Sequence, residues 1–142
     1  MDPERERIQD DLRGLIDGEV RCDHVFTQLF ASDASIFEIE PLAVVRPRHT
    51  PDVVAAIQYA GNNNLTIHPR GAGTGTAGGC LGRGIVLDFS HSMRRIIRRD
   101  DDSVTVQPGV VLDRVNEYLA PQGRMLGPDP ATAEVTTLGG VL

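Results

Sequence analysis

Between Pro69 and Gly79 the chain reads Pro-Arg-Gly-Ala-Gly-Thr-Gly-Thr-Ala-Gly-Gly, with five glycines, two threonines and an arginine in eleven residues. Glycine has no Cβ, so the backbone there can take positive φ and an anion can come close to the main-chain amides. The threonine hydroxyls add donors, and phosphate binding is the chemistry this composition suits. Gly73-x-Gly75-x-x-Gly78 matches the dinucleotide fingerprint letter by letter, but that pattern carries meaning only where it opens a helix. The residues that follow, Gly79 to Gly84, hold three glycines in six. Each interior glycine costs a helix ~1 kcal/mol relative to alanine, so no helix is expected there and the Rossmann reading fails. A P-loop reading fails too, because no Gly-Lys-Ser/Thr follows. A plain surface loop is the alternative.

The elements around the loop define its place. Leu65 to His68 alternates apolar and polar residues as a short strand does, and Gly84 to Asp88 reads as a buried strand. Upstream, proline at Pro41 and Pro47 brackets a β-branched run from Leu42 to Arg46, which predicts another strand. Thr50-Pro51-Asp52 predicts a helix start with Thr50 as the N-cap. Val53, Val54, Ile57 and Ala60 are its expected inward face, and Gly61 its C-cap. The unit is βαβ-like, with the glycine loop at the carboxyl end of its second strand. At the N-terminus, Ile8, Leu12, Leu15 and Ile16 form one stripe of a charged docking helix. Downstream, residues 93–99 and 103–107 predict a hairpin tipped by Asp100, Asp101 and Asp102. The aspartates largely cancel the field of Arg94, Arg95, Arg98 and Arg99, so a solvated hairpin is expected rather than an anion site. Pro108-Gly109 turns into a helix carrying Val111, Leu112, Val115 and Leu119, closed by Pro121-Gln122-Gly123. Pro128-Asp129-Pro130 is a rigid extended piece, and Thr137-Leu138-Gly139-Gly140 offers a hydroxyl and a second stretch of close-approach backbone.

A chain of 142 residues, 40% hydrophobic and 24% charged, is ordinarily one soluble domain with a real core. Its formal charge of −6 argues against a nucleic-acid partner. Cys22 and Cys80 show no CxxC or metal-ligand spacing and read as free thiols of a reducing compartment. His24, His49, His68 and His91 are scattered without a ligand pattern, so no metal site is expected. No apolar run approaches ~18 residues, which excludes a membrane span from the sequence pattern. The charged start is no signal peptide. A cytoplasmic location is expected, peripheral to the membrane if the full-length protein sits in a complex.

Several of these features together resemble the FAD-linked oxidases with a vanillyl-alcohol-oxidase or p-cresol-methylhydroxylase type FAD-binding domain. The shared pieces are Asp33-Ala34-Ser35, the strand from Pro41 to Pro47, Pro51-Asp52-Val53-Val54, the loop Arg70 to Gly75, Val106-x-Pro108-Gly109-Val110, and Pro128-Asp129-Pro130 followed by Thr137-x-Gly139-Gly140. They cover roughly residues 30–142. Within the family the likeness is closest to glycolate oxidase's flavin subunit and the D-lactate dehydrogenases. Ala131 stands where the family usually has serine.

The resemblance implies an α+β fold, in which an N-terminal α/β subdomain with short parallel strands is followed by the start of a mixed or antiparallel sheet. It implies FAD held by Pro69, Arg70, Gly71, Ala72, Gly73, Thr74, Gly75 and Gly78, by Pro108 and Gly109, and by Pro128, Asp129, Thr137, Gly139 and Gly140. Arg70 would act either as a charge on the phosphate or as a brace for the loop. Some relatives bind FAD covalently through a histidine in a loop of the form R-x-G-G-H. Here Thr74 occupies that place and His68 lies on the strand, so FAD is expected to be non-covalent. Residues 1–29 would be an N-terminal helix and lead-in, and 30–142 the first part of an FAD-binding domain whose substrate domain is absent. The whole enzyme would oxidise a 2-hydroxy acid by hydride transfer to flavin N5 and pass electrons to an acceptor protein, while this chain alone would be inactive. Its catalytic residues cannot be named from this stretch. The alternatives are a non-catalytic FAD- or nucleotide-binding module, a structural domain whose loop binds nothing, and a reductase of the UDP-N-acetylenolpyruvoylglucosamine type.

Overall fold

In the computed structural model, which describes residues 2–142, four short strands form one sheet. They are β1 (Glu19–Arg21), β2 (Ala43–Arg46), β3 (Ile67–Arg70) and β4 (Ile85–Asp88), in the order β1-β2-β4-β3. β2 and β3 run parallel to β4, and β1 runs antiparallel to β2. β4 is buried along its whole length, as its apolar run predicts for a central parallel strand.

The period of two assigns the faces. Ala43, Val45, Ile85 and Leu87 point to a core built with Ile8, Leu12 and Ile16 of the N-terminal segment and Ala56, Tyr59 and Ala60 of a crossover helix. Val44 and Val86 point the other way, onto Phe30 and Phe26. Each such side chain contributes about 1.5–3 kcal/mol on burial. α1 (Pro3–Arg13) is capped by Asp2 and packs into this same core. Its stripe is narrower than expected, since Leu15 lies beyond the helix and is 57% exposed. A short α2 (His24–Gln28), capped by Asp23, carries Phe26 on the opposite face of the sheet.

The crossover helix α3 (Thr50–Asn62) departs from the sequence expectation at both ends and along its face. His49, not Thr50, is the N-cap, and no side chain caps it directly. The work is done by Asp52, 2% exposed, whose carboxylate accepts the amides of Arg48 at 2.8 Å and Asp17 at 3.0 Å. That inward aspartate turns the helix, so Ala56, Tyr59 and Ala60 are buried while Val54 and Ile57 are about half exposed. At the other end Gly61 is inside the helix, and the left-handed residue is Asn64 (φ 54°). The amide of Leu65 reaches back to the Ala60 carbonyl at 2.9 Å, which is a Schellman closure with asparagine in the usual glycine place.

Beyond the sheet, β5 (Ile96–Arg99) and β6 (Val104–Val106) form the expected hairpin. α4 (Leu112–Leu119) packs Leu112, Val115 and Leu119 with Val110 and Leu138 into a second core under it. A single 3₁₀ turn (Ala120–Gln122) closes on Gly123 at φ 66°. Thr137 to Val141, read from sequence as open backbone, contains a one-turn helix, α5 (Leu138–Val141), with Thr137 as N-cap.

Asp17, His49 and Asp52 also gather at the start of α3, a grouping that no spacing announces. The two carboxylates face opposite ring nitrogens of His49, at 3.1 and 3.2 Å. A single ion would engage one ring nitrogen, so the arrangement is that of a clasp between the β1 lead-in and α3. Replacing Asp52 by alanine leaves two inward amides without acceptors. The expected loss of stability is about 3 kcal/mol, read by urea unfolding.

Candidate functional site

β3 and β4 end level with each other, Arg70 opposite Asp88. The chain then leaves β3 as the glycine loop, while Phe89 follows β4 and donates its amide to the Arg70 carbonyl at 3.0 Å. Asp88, 2% exposed, fixes this corner by accepting from the Ser90 amide and hydroxyl and from Arg46 at 3.0 Å.

Phe89 is the pivot for the distant segments. A Cβ on Gly109 would fall 1.8 Å from the Phe89 carbonyl oxygen, so only glycine lets the Pro108-Gly109 turn lie on it. Residues 136–139 then zip alongside 108–112. Leu112 N–H donates to Thr136, Leu138 N–H to Val110 and Gly139 N–H to Pro108, at 3.0, 2.8 and 2.9 Å. This pairing carries Thr137 against the glycine loop, where a Cβ on Gly71 would sit 1.8 Å from its Oγ1. The hydroxyls of Thr74 and Thr136 lie 3.3 Å apart across the same junction.

The result is one cleft of about 350 Å³. Of the residues expected from sequence, Pro69, Arg70, Gly71, Ala72, Gly73, Thr74, Gly75, Pro108, Thr137, Gly139 and Gly140 line it. Gly78, Gly109, Pro128 and Asp129 do not. Gly78 takes φ 72° in a turn against Phe37, Gly109 lies under Phe89, and Pro128 and Asp129 are exposed on the loop after α4. Sequence reasoning missed the part taken by Asp33, Gly79, Cys80, Phe89 and Thr136, which complete the wall. Asp33 stood in a motif without a role, and Phe89 was marked only by following the buried strand.

Two properties of the cleft bear on anion binding. Among the described residues, the amides of the cleft residues Gly71, Ala72, Gly73, Thr74 and Gly75 donate to no protein acceptor. Thr137, 3% exposed, has a hydroxyl with no hydrogen-bond partner among the described residues. By contrast the amides of Gly139 and Gly140 are engaged, the latter with the Thr137 carbonyl at 3.0 Å. Their donors are spent on the wall, and Gly139 serves close approach instead: a Cβ there would meet the Pro108 ring at 2.8 Å.

Arg70 folds back beneath its own loop. Its guanidinium lies 5.3 Å from the Phe30 ring centre, donates to the Phe30 carbonyl at 3.3 Å and rests against Gly73, where φ is 71°. This is the geometry of a brace, the second of the two roles the sequence left open. Cys80 receives a longer contact from Arg70 at 3.7 Å and points its thiol at Asp33, 3.5 Å away. Burial pushes the Cys80 thiol up, and hydrogen bonding from Ser35 holds the Asp33 carboxyl below its usual range. His68 is outside the cleft. It pairs with Thr66 at 2.8 Å and packs under Gly82, and burial pushes its imidazole down.

Residues 41–142 match the family described as FAD binding domain. The chain belongs to that family. It is 37% identical over 130 residues to a D-2-hydroxyglutarate dehydrogenase of Escherichia coli, covering 88% of this chain and 13% of the relative. To glycolate oxidase subunit GlcD of Bacillus subtilis it is 32% identical over 108 residues, or 73% of this chain and 23% of that one. Among solved structures it superposes on alkyldihydroxyacetonephosphate synthase with a TM-score of 0.79 at 22% identity, over 99% of this chain and 31% of the other. On p-cresol methylhydroxylase the TM-score is 0.69 at 18% identity, over 87% and 26%. The fold is therefore that of the p-cresol methylhydroxylase type of FAD-binding domain, as the motifs implied. This chain spans a small part of the length of these relatives.

The close approach at Gly71 gives a direct check. Gly71→Ala forces Thr137 and the loop apart, with an expected cost of about 2 kcal/mol. Gly75 has no atom within 4 Å of a would-be Cβ, so Gly75→Ala is expected to change stability by less than about 0.5 kcal/mol. Thermal unfolding of the two variants reads the difference.

Proposed function

We propose that this chain is the FAD-holding part of an oxidoreductase that oxidises a 2-hydroxy acid, with FAD bound non-covalently. The observation that carries the reading is the convergence of two glycine-rich segments on one cleft lined by Gly71 to Gly75, whose five amides are uncommitted. The residues present fit the cofactor. The amides of Gly71 to Gly75 supply donors for a diphosphate without a cation being needed. The unpartnered Thr137 hydroxyl supplies one more. Gly71 and Gly139 let Thr137 and Pro108 close the cleft wall at short range, and Phe89 adds an apolar surface for a flat ring. When bound, FAD supplies an isoalloxazine that takes the hydride from the α-carbon of the hydroxy acid. Arg70 keeps the loop open by bracing it on Phe30.

Non-covalent attachment is supported by the lining of the cleft, which holds no histidine, and by His68, which lies outside that lining and pairs with Thr66. The 2-hydroxy acid class is supported by relatives named for D-2-hydroxyglutarate, glycolate and D-lactate. Residues for substrate and an electron-acceptor protein would belong to the remainder of such an enzyme. No helix of the described residues is long and apolar enough to cross a membrane. A cytoplasmic location is part of the proposal.

Purified protein is expected to show flavin absorbance, and acid precipitation should leave the flavin in the supernatant; flavin that stays with the pellet would sink non-covalent binding. Thiol labelling reads the place. Cys22 is fully buried with its thiol pushed up to about 11, whereas Cys80 is on the cleft wall. Iodoacetamide followed by mass spectrometry is expected to modify Cys80 in the native protein, and saturating FAD should slow that reaction several-fold. FAD that protects neither thiol would be bound elsewhere.

A further inference from the structure

Asp33 is the group on the cleft wall that phosphate binding does not account for. It enters the turn opened by the Ser32–Glu38 bridge, and the next amide, that of Ala34, donates to the Gly73 carbonyl at 3.1 Å. The carboxylate is thus held in a set relation to the glycine loop. Oδ1 accepts the Ser35 amide at 2.8 Å and Oδ2 faces the Cys80 thiol at 3.5 Å. It forms no ion pair among the described residues. A carboxylate offers about four acceptor positions, so some remain open to the cleft. Hydrogen bonding from Ser35, with Cys80 and Arg70 close by, keeps the group ionised at neutral pH.

A fixed negative charge repels a diphosphate placed beside it. It is a strong acceptor for a neutral hydroxyl, since hydrogen bonds to an ionised acceptor are roughly twice as strong as neutral ones. Acidic residues hold ribose hydroxyls in this way in the unrelated Rossmann folds. Resting on the FAD reading above, we propose that Asp33 accepts a hydrogen bond from a sugar hydroxyl of the bound dinucleotide and disfavours a sugar phosphorylated at that position. Asp33 thereby sorts the cofactor along the cleft, with hydroxyls on its own wall and diphosphate on the amides of Gly71 to Gly75. FAD has two hydroxylated pieces that could meet it, the ribose of the adenosine half and the ribityl chain of the flavin half.

The test uses flavin-free protein, wild type beside Asp33→Asn, titrated with FAD by fluorescence and with ADP and FMN as competitors. Asparagine keeps the oxygen that the Ser35 amide needs, so the turn is retained while the charge is lost. FAD is expected to bind about tenfold or more weaker to the variant. The same loss with ADP and none with FMN assigns the hydroxyl to the ribose. Loss with FMN alone assigns it to the ribityl chain, and either result supports the proposal. FAD binding that is unchanged or tighter in the variant would overturn it. So would an equal loss of all three ligands, because one hydroxyl belongs to one half of the cofactor. A wild-type protein that takes up none of the three overturns the FAD reading itself, whatever Asp33 does.

Discussion

The contact between Gly71 and Thr137 is the junction on which the cleft depends. One side of it belongs to the four-stranded sheet, and the other to the hairpin and α4 with their separate core. The two cores share no buried side chain, so their mutual placement rests on close approach of backbone to backbone and to the threonine side chains at the junction. Two glycines make this possible, Gly71 against Thr137 and Gly109 against Phe89, while Gly139 against Pro108 sets the second half's own wall. A methyl group at any of them would occupy space already filled. Interiors are packed too densely to absorb such a volume without backbone shifts.

The polar groups at this junction divide by task. Segment 136–139 uses its amides to lie along 108–112, so its own donors are consumed in building the wall. The glycine loop does the opposite. It is held from behind, by the Ala34 amide on the Gly73 carbonyl and by the guanidinium under Gly73, and the amides of its cleft residues have no protein acceptor among the described residues. Arg70 is itself sandwiched into a run of side chains, since Phe30 stacks on Arg46 at 5.7 Å and Phe26 lies between Arg46 and Arg21. Rigidity behind the loop lowers the ordering cost of an incoming ligand.

Much of this architecture was legible in the residues, and the failures have physical causes. Ile85 to Asp88 and Leu42 to Arg46 are apolar on both faces, so their identity as inner strands depends on little else. The glycine loop announced itself because no other element tolerates that composition. The face of α3 was misread because hydrophobicity favoured Val54 and Ile57, while the helix is turned by Asp52, a charged residue whose partners are amides 4 and 35 positions away. Asn64 took the left-handed place assigned to Gly61, and either residue type can fill it. Thr137-Leu138-Gly139-Gly140 looked like open backbone since two glycines disfavour a helix, yet one turn forms where Val110 and Pro108 accept its amides. Asp33, Cys80 and Phe89 reach the cleft through tertiary placement that no local pattern encodes.

The strand order has a consequence for how this protein comes into being. β4 lies between β2 and β3, and is made after both. Until residues 85–88 have left the ribosome, β3 has no neighbour to pair with, and the glycine loop hangs from an unanchored end. Insertion of a late central strand is a nonlocal event, of the kind that slows folding. The glycine loop therefore gains its anchor only when the sheet closes on β4, and the cradle is completed later still, once residues 136–140 have been made and reach Gly71.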